Sequence, residues 1–305
     1  MNNYYSKKKE NVEIFKRLCE IISEDEYIQK DIEDSVKSSR IYSKTINDFD
    51  PNTMEKFNCI TLDDMPDVCD ETSVIFMQTN TINAAIDVLR NKLPNKVCIL
   101  NFASAKKPGG MVVNGSSAQE ECICRSTTLY QILSNKVFYN PYYRFHKYHT
   151  DNFYTPTLIY SPRVNLIFDG SYNQIQYHDE YEPFYVDVIT SPFPNLRKDG
   201  WWSGDLLNHN NDDEKSYKME LFNRLYNIYV DRIDNIFRAA IDNHVDYFIV
   251  GAWGCGVFRN NPSYVAKAYK EVIQKYDKKI LHVVFAIPDA FNYNTFKGII
   301  KDEWV

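Results

Sequence analysis

Gln119-Glu120-Glu121 places two carboxylates and an amide at the start of one amphipathic segment. Adjacent carboxylates suit general acid–base work on a ligand held beside them. A holder lies just upstream. The run Ala103-Ser104-Ala105-Lys106-Lys107-Pro108-Gly109-Gly110-Met111 follows the apolar stretch Val97–Phe102, and glycines let backbone amides approach a ligand closely. Six of the ten glycines fall in two windows, Gly109–Gly115 and Gly251–Gly256. The second window, Gly251-Ala252-Trp253-Gly254-Cys255-Gly256-Val257-Phe258, follows the apolar run Tyr247–Val250 and precedes a helix that Asn261 or Ser263 can cap. A strand, a glycine-rich loop and a helix N-terminus in that order bind phosphate through main-chain amides.

The same residues also have a purely structural reading. Ser117-Ala118-Gln119-Glu120 matches a capping box in which Glu120 reaches back to the Ser117 amide. Glu121 is then a solvated acid favoured by the helix dipole, and the glycines form plain turns. Other candidates fall away more readily. His146 and His149 have no companion ligands at metal spacing and are expected on a surface loop. Cys122 and Cys124 lack a second cysteine pair and are expected to be small core residues. Cys255 sits in the phosphate-type loop with no nearby histidine to make it a nucleophile. Trp201-Trp202 stands in a polar loop as a possible contact surface.

The elements that must position these residues alternate along the chain. Strands are expected at Ser73–Gln78, Val97–Phe102, Leu158–Tyr160, Val164–Phe168, Phe184–Thr190, Tyr247–Val250 and Ile280–Ile287. Helices are expected over the first fifty residues and at Thr81–Leu93, Ala118–Leu133, Ser216–Asn243 and Ser263–Lys275. The stretches 141–156 and 192–213 fit neither period and are expected to be loops. Near-continuous apolar strands alternating with helices imply α/β with a buried, largely parallel sheet, whose ligands sit at the strands' carboxyl ends. The chain has 305 residues, 44% hydrophobic and 25% charged, which is globular composition. No apolar run approaches a membrane span. The net charge of −6 argues against an extended nucleic-acid surface. Seven scattered cysteines and no signal-like N-terminus suggest an intracellular protein, cytoplasmic or nuclear rather than secreted.

The run Asn101 to Tyr130, NFASAKKPGGMVVNGSSAQEECICRSTTLY, resembles the microbial-type poly(ADP-ribose) glycohydrolase family, whose signature is a glycine-rich loop followed by Gln-Glu-Glu. Tyr160-Ser161-Pro162-Arg163-Val164, Val188-Ile189-Thr190-Ser191-Pro192 and the second glycine window continue the likeness in order. The resemblance implies a macrodomain-like three-layer α/β/α sandwich over 71–305, with an N-terminal helical extension over 1–70. It implies hydrolysis of ribose–ribose bonds in poly(ADP-ribose), free or attached to protein, without metal or cofactor. Glu121 would be the acid/base, Glu120 would bind ribose hydroxyls, and Gln119 would orient the loop. Substrate would contact Asn101, Gly109, Gly110 and Met111, and Gly254, Cys255, Gly256 and Val257 would hold the diphosphate, with Phe258 on the distal ribose. Asn80-Thr81 would lie near adenine. The family carries three consecutive glycines where this chain has Gly109-Gly110-Met111, which sets a side chain beside the scissile ribose. A non-catalytic ADP-ribose reader and a hydrolase of single ADP-ribose units on protein or nucleic acid stand as alternatives.

Overall fold

The computed structural model describes residues 2–43, 55–56, 62, 65–91, 96–148, 152–175, 183–197 and 212–301. Its centre is an eight-stranded sheet. The strands are β1 (Arg40–Ser43), β2 (Glu55–Lys56), β3 (Ser73–Met77), β4 (Val97–Phe102), β5 (Leu158–Asn165), β6 (Tyr185–Ser191), β7 (Tyr247–Val250) and β8 (His282–Ala286), in the order β2-β1-β5-β6-β4-β7-β8-β3. The five strands β6-β4-β7-β8-β3 run parallel, β5 is antiparallel to β6, and β1 is antiparallel to β5.

Period-two alternation splits β4 between two cores. Ile99 faces one apolar cluster, whereas Cys98 and Leu100 face the other. The first cluster is closed by α1 (Asn2–Glu24), α2 (Glu26–Ser38), α3 (Thr81–Asn91), α4 (Gln119–Ser126) and α5 (Leu129–Leu133). On the opposite face lie α7 (Asp212–Asp242), α8 (Pro262–Lys275) and α9 (Ala290–Lys301), and a short α6 (Phe145–Tyr148) joins α5 to β5. The result is the expected three-layer α/β/α sandwich on a mixed, largely parallel sheet.

Several expectations are corrected. The first fifty residues are not helical throughout, because β1 extends the sheet by pairing with β5. The helix expected over 118–133 is two helices. Thr127 bridges to Leu166 and turns its hydroxyl back on the Ile123 carbonyl, which ends α4. The two strands expected at 158–160 and 164–168 are one, kinked by a bulge between Ser161 and Val164. Part of 141–156 is helical, with a π-helical turn at Tyr139–Arg144 running into α6. His146 is buried there and not on the surface, its ring nitrogens 2.9 Å from the Tyr142 carbonyl and 2.7 Å from Thr155 Oγ1. His149, Trp201 and Trp202 lie outside the described residues. No helix among those described is long and apolar enough to cross a membrane.

Asn11, Phe15, Leu18 and Ile22 recur at helical spacing and form the buried stripe of α1. Phe15 meets Tyr130 of α5 edge-on at 5.1 Å. Leu18 is fully buried, so Leu18→Ala should cost about 2–5 kcal/mol. Urea titration should show a lower midpoint with an unchanged slope.

Candidate active site

Strands β4 and β7 are adjacent and parallel, so the loops leaving Phe102 and Val250 start side by side. A Cβ on Gly251 would come within 3.2 Å of the Phe102 ring, which shows how closely the two loop origins pack.

The first loop folds back over α4. Gly109 and Gly110 have φ of +61° and +58°, a region that suits glycine. Space requires glycine as well. A Cβ on Gly110 would lie 2.6 Å from Glu121 Oε1 and 2.9 Å from Glu120 Oε2, so both carboxylates press on the same glycine. On Gly109 it would lie 2.7 Å from the Tyr130 ring.

The carboxylates are only 4% and 7% exposed, and the protein backbone solvates them in place of water. The Ser104 amide donates to Glu120 Oε2 at 2.7 Å, and Asn101 Nδ2 reaches Glu120 Oε1 at 3.5 Å. The Met111 amide donates to Glu121 Oε1 at 3.0 Å. Glu121 Oε2 is buried with no hydrogen-bond partner among the described residues, and so is Asn101 Oδ1. These contacts displace the capping box. The residue preceding α4 is Ala118, which has no side-chain cap, and Glu120 turns to the Ser104 amide and not to that of Ser117.

Gln119 is bonded through both ends of its side-chain amide. Its Oε1 accepts the Phe102 amide at 2.9 Å, and its Nε2 donates to the Leu100 carbonyl at 2.7 Å and to Thr81 Oγ1 at 3.1 Å. Pairing of β4 with β7 extends only to Ile99, so this side-chain amide continues the hydrogen bonding of β4 toward the site. Asn80 is also engaged locally: its side chain accepts the Asn83 amide at 2.9 Å.

Met111 has φ −117°, an ordinary value for a residue with a side chain. The positive-φ positions are 109 and 110, so a third glycine would relieve no backbone strain. The Met111 side chain points outward, 40% exposed, with its sulfur 3.7 Å from Lys107 Nζ.

In the second loop Gly254 is required by φ +76° and by the Phe193 ring, which occupies the place of a Cβ. Gly256 is different. Nothing lies within 4 Å of a Cβ there, so no packing inside the protein demands a glycine. The amides of Gly256, Val257 and Phe258 donate to no acceptor among the described residues. Phe258 is half-buried, 6.5 Å from the Tyr154 ring. Burial pushes the Cys255 thiol up, the opposite of nucleophile activation.

Two residues that hold the site carry no motif. Asn260 donates to the carbonyls of Gly254 at 3.0 Å and Pro194 at 2.8 Å and accepts from Tyr229 at 2.6 Å, locking the second loop. Ser104 gives its amide to Glu120, and its hydroxyl accepts the amides of Lys106 and Lys107 at 3.4 and 3.3 Å, which braces the turn of the first loop. Among the described residues no cluster of histidine, cysteine and carboxylates could hold a metal.

Buried acids beside glycine loops at the carboxyl ends of parallel strands define a macrodomain-like fold equipped for acid–base chemistry on a phosphate-bearing ligand. Residues 3–169 match the family described as microbial-type PARG, catalytic domain, where PARG is poly(ADP-ribose) glycohydrolase, and the chain belongs to this family. The fold is shared with the poly(ADP-ribose) glycohydrolase of Thermomonospora curvata bound to the inhibitor ADP-HPD, with TM-score 0.72 and 25% identity over 95% of this chain and 98% of that one. It is shared also with the enzyme of Deinococcus radiodurans in complex with ADP-ribose, with TM-score 0.67 and 25% identity over 90% of this chain and 98% of that one. No curated protein matches the sequence.

Burial pushes the Glu120 carboxyl up to about 8, and the adjacent Glu121 adds to the effect, against the lowering by the Ser104 amide. Glu120 therefore binds its proton more tightly folded than unfolded. Its contribution favours the folded state below the ordinary value of 4.5 and is lost as pH rises through about 8. Glu120→Gln is neutral at every pH. Its melting temperature should gain on that of the wild type as pH rises from about 5 to about 9. A difference that stays flat over that range would show an ordinary carboxyl.

Proposed function

We propose that this chain hydrolyses the ribose–ribose O-glycosidic bond of poly(ADP-ribose) and releases ADP-ribose, with Glu121 as general acid/base. One observation carries the assignment. Glu121 Oε1 is fixed by the Met111 amide against the glycine loop, while Oε2 is buried and has no hydrogen-bond partner among the described residues. Oε2 is thus the oxygen left to exchange a proton with the substrate, on a carboxyl held through its other oxygen.

In the reaction Glu121 gives that proton to the oxygen bridging two riboses as the bond from the anomeric carbon breaks and the ring takes on oxocarbenium character. The carboxylate left behind then removes a proton from the water that adds to that carbon, which restores the acid. One water is consumed for each bond. Glu120, neutral near pH 7 through its burial, spares Glu121 an anionic neighbour and offers a donor to a ribose hydroxyl. Asn101 and Ser104 hold it in place. The free amides at Gly256, Val257 and Phe258 suit a diphosphate, and the open space at Gly256 lets it approach the backbone. Phe258 would pack on the distal ribose.

Glu121→Gln should lower polymer turnover by about 10²–10⁴-fold while ADP-ribose affinity stays nearly unchanged. Loss of binding in parallel with rate would make Glu121 a binding group. Wild-type protein that binds ADP-ribose yet releases none from polymer would be a reader.

The second loop makes a separate prediction. Calorimetry should show ADP-ribose binding far more tightly than AMP, which lacks the second phosphate and the distal ribose. Equal affinities would remove the diphosphate assignment.

A further inference from the structure

The buried stripe of α1 contains one polar side chain. Asn11 is 3% exposed among Phe15, Leu18 and Ile22, and a buried amide there must find a partner to offset its desolvation. Its partner is in the catalytic loop: Asn11 Nδ2 donates to the Gly115 carbonyl at 2.9 Å. The next carbonyl, Ser116, is held by Nη1 of Arg125, a guanidinium with no exposed surface. Arg125 is itself fixed by the Tyr172 hydroxyl at 3.2 Å, and the Tyr172 carbonyl accepts Arg17 of α1 at 2.9 Å. Gly115 permits the approach. Its φ is +75°, and the Lys8 carbonyl occupies the place of a Cβ.

These grips are a few hydrogen bonds from the chemistry. The amides of Ser116 and Asn114 donate to the Met111 carbonyl at 3.3 and 3.0 Å, and the Met111 amide donates to Glu121 Oε1 at 3.0 Å. Moving Gly115 and Ser116 therefore pulls on Met111, the residue whose amide holds Glu121. We propose that Asn11 and Arg125 are positioning residues for Glu121, which makes α1 part of the active-site apparatus and not a separate covering. The effect on rate rests on the glycohydrolase reading above; the mechanical coupling does not.

Asn11→Asp is nearly isosteric, removes the donor and sets a carboxylate against a carbonyl; Asn11→Ala leaves the carbonyl unpaired. Both are compared with wild type and with Lys16→Ala on the exposed face of α1. Three readouts are taken well below each melting temperature: kcat and KM on poly(ADP-ribose), ADP-ribose affinity, and hydrogen exchange at the Met111 amide. We expect kcat to fall by roughly 10- to 100-fold in both Asn11 variants, as a displacement of about 1 Å does. ADP-ribose affinity should be nearly unchanged, the Met111 amide should exchange faster, and Lys16→Ala should match wild type throughout. An Asn11 variant that melts earlier yet keeps wild-type kcat and a protected Met111 amide would overturn the proposal. If wild type itself cleaves no polymer, the function reading fails, and exchange at Met111 still decides the coupling.

Discussion

Two carboxyl groups from consecutive residues are buried at the head of a helix, and much of the architecture follows from keeping them there. Water does not solvate them, so backbone amides must. The amides of Ser104 and Met111 belong to a loop that has to double back over α4 to reach Glu120 and Glu121. Doubling back needs the positive φ of Gly109 and Gly110, and pressing the acids against the loop needs a residue without Cβ at 110. The same burial pushes the Glu120 carboxyl up to about 8.

The sheet supplies the place where this can happen. Strand β4 is flanked by β6 and β7, with helices on both faces, so its carboxyl end opens at the middle of the sheet. Beyond Ile99 its pairing with β7 lapses, and the gap is filled by a side chain from the Gln-Glu-Glu triplet, Gln119. One residue therefore ties the helix bearing the acids to the strand below it. The neighbouring β7 delivers the second glycine loop to the same rim, where Asn260, Tyr229 and Trp253 stiffen it.

How much of this was legible in the sequence depended on whether the signal was local. The central strands β4 and β7 match the expected residues because short, largely apolar runs end in glycine-rich or polar loops. The loops stood out because six of the ten glycines cluster there. Helix α9 was missed: AFNYNTFKGIIK carries polar residues and a glycine, and only Phe296 and Ile300 are buried. Strand β1 was missed because four residues are too few for a period, and its partner lies more than a hundred positions away. The roles of Ser104, Asn11 and Arg125 were invisible for a related reason. Each depends on which peptide group the fold brings to it, and residue type does not carry that information. The burial of His146 likewise follows from the π-helical turn before it, which no hydrophobic period announces.

The antiparallel partner of β5 comes from the opening segment of the chain, where β1 lays Arg40, Ile41 and Tyr42 against Tyr160, Ile159 and Leu158. Stripped of that segment, the remaining fold would present Leu158–Tyr160 as a bare, apolar strand edge, the kind of surface that recruits other chains. The opening segment thus covers a strand edge as well as gripping the loop that follows Gly109-Gly110. Excising the α/β core as a portable ADP-ribose-binding module would forfeit both, and the penalty would first appear as insolubility.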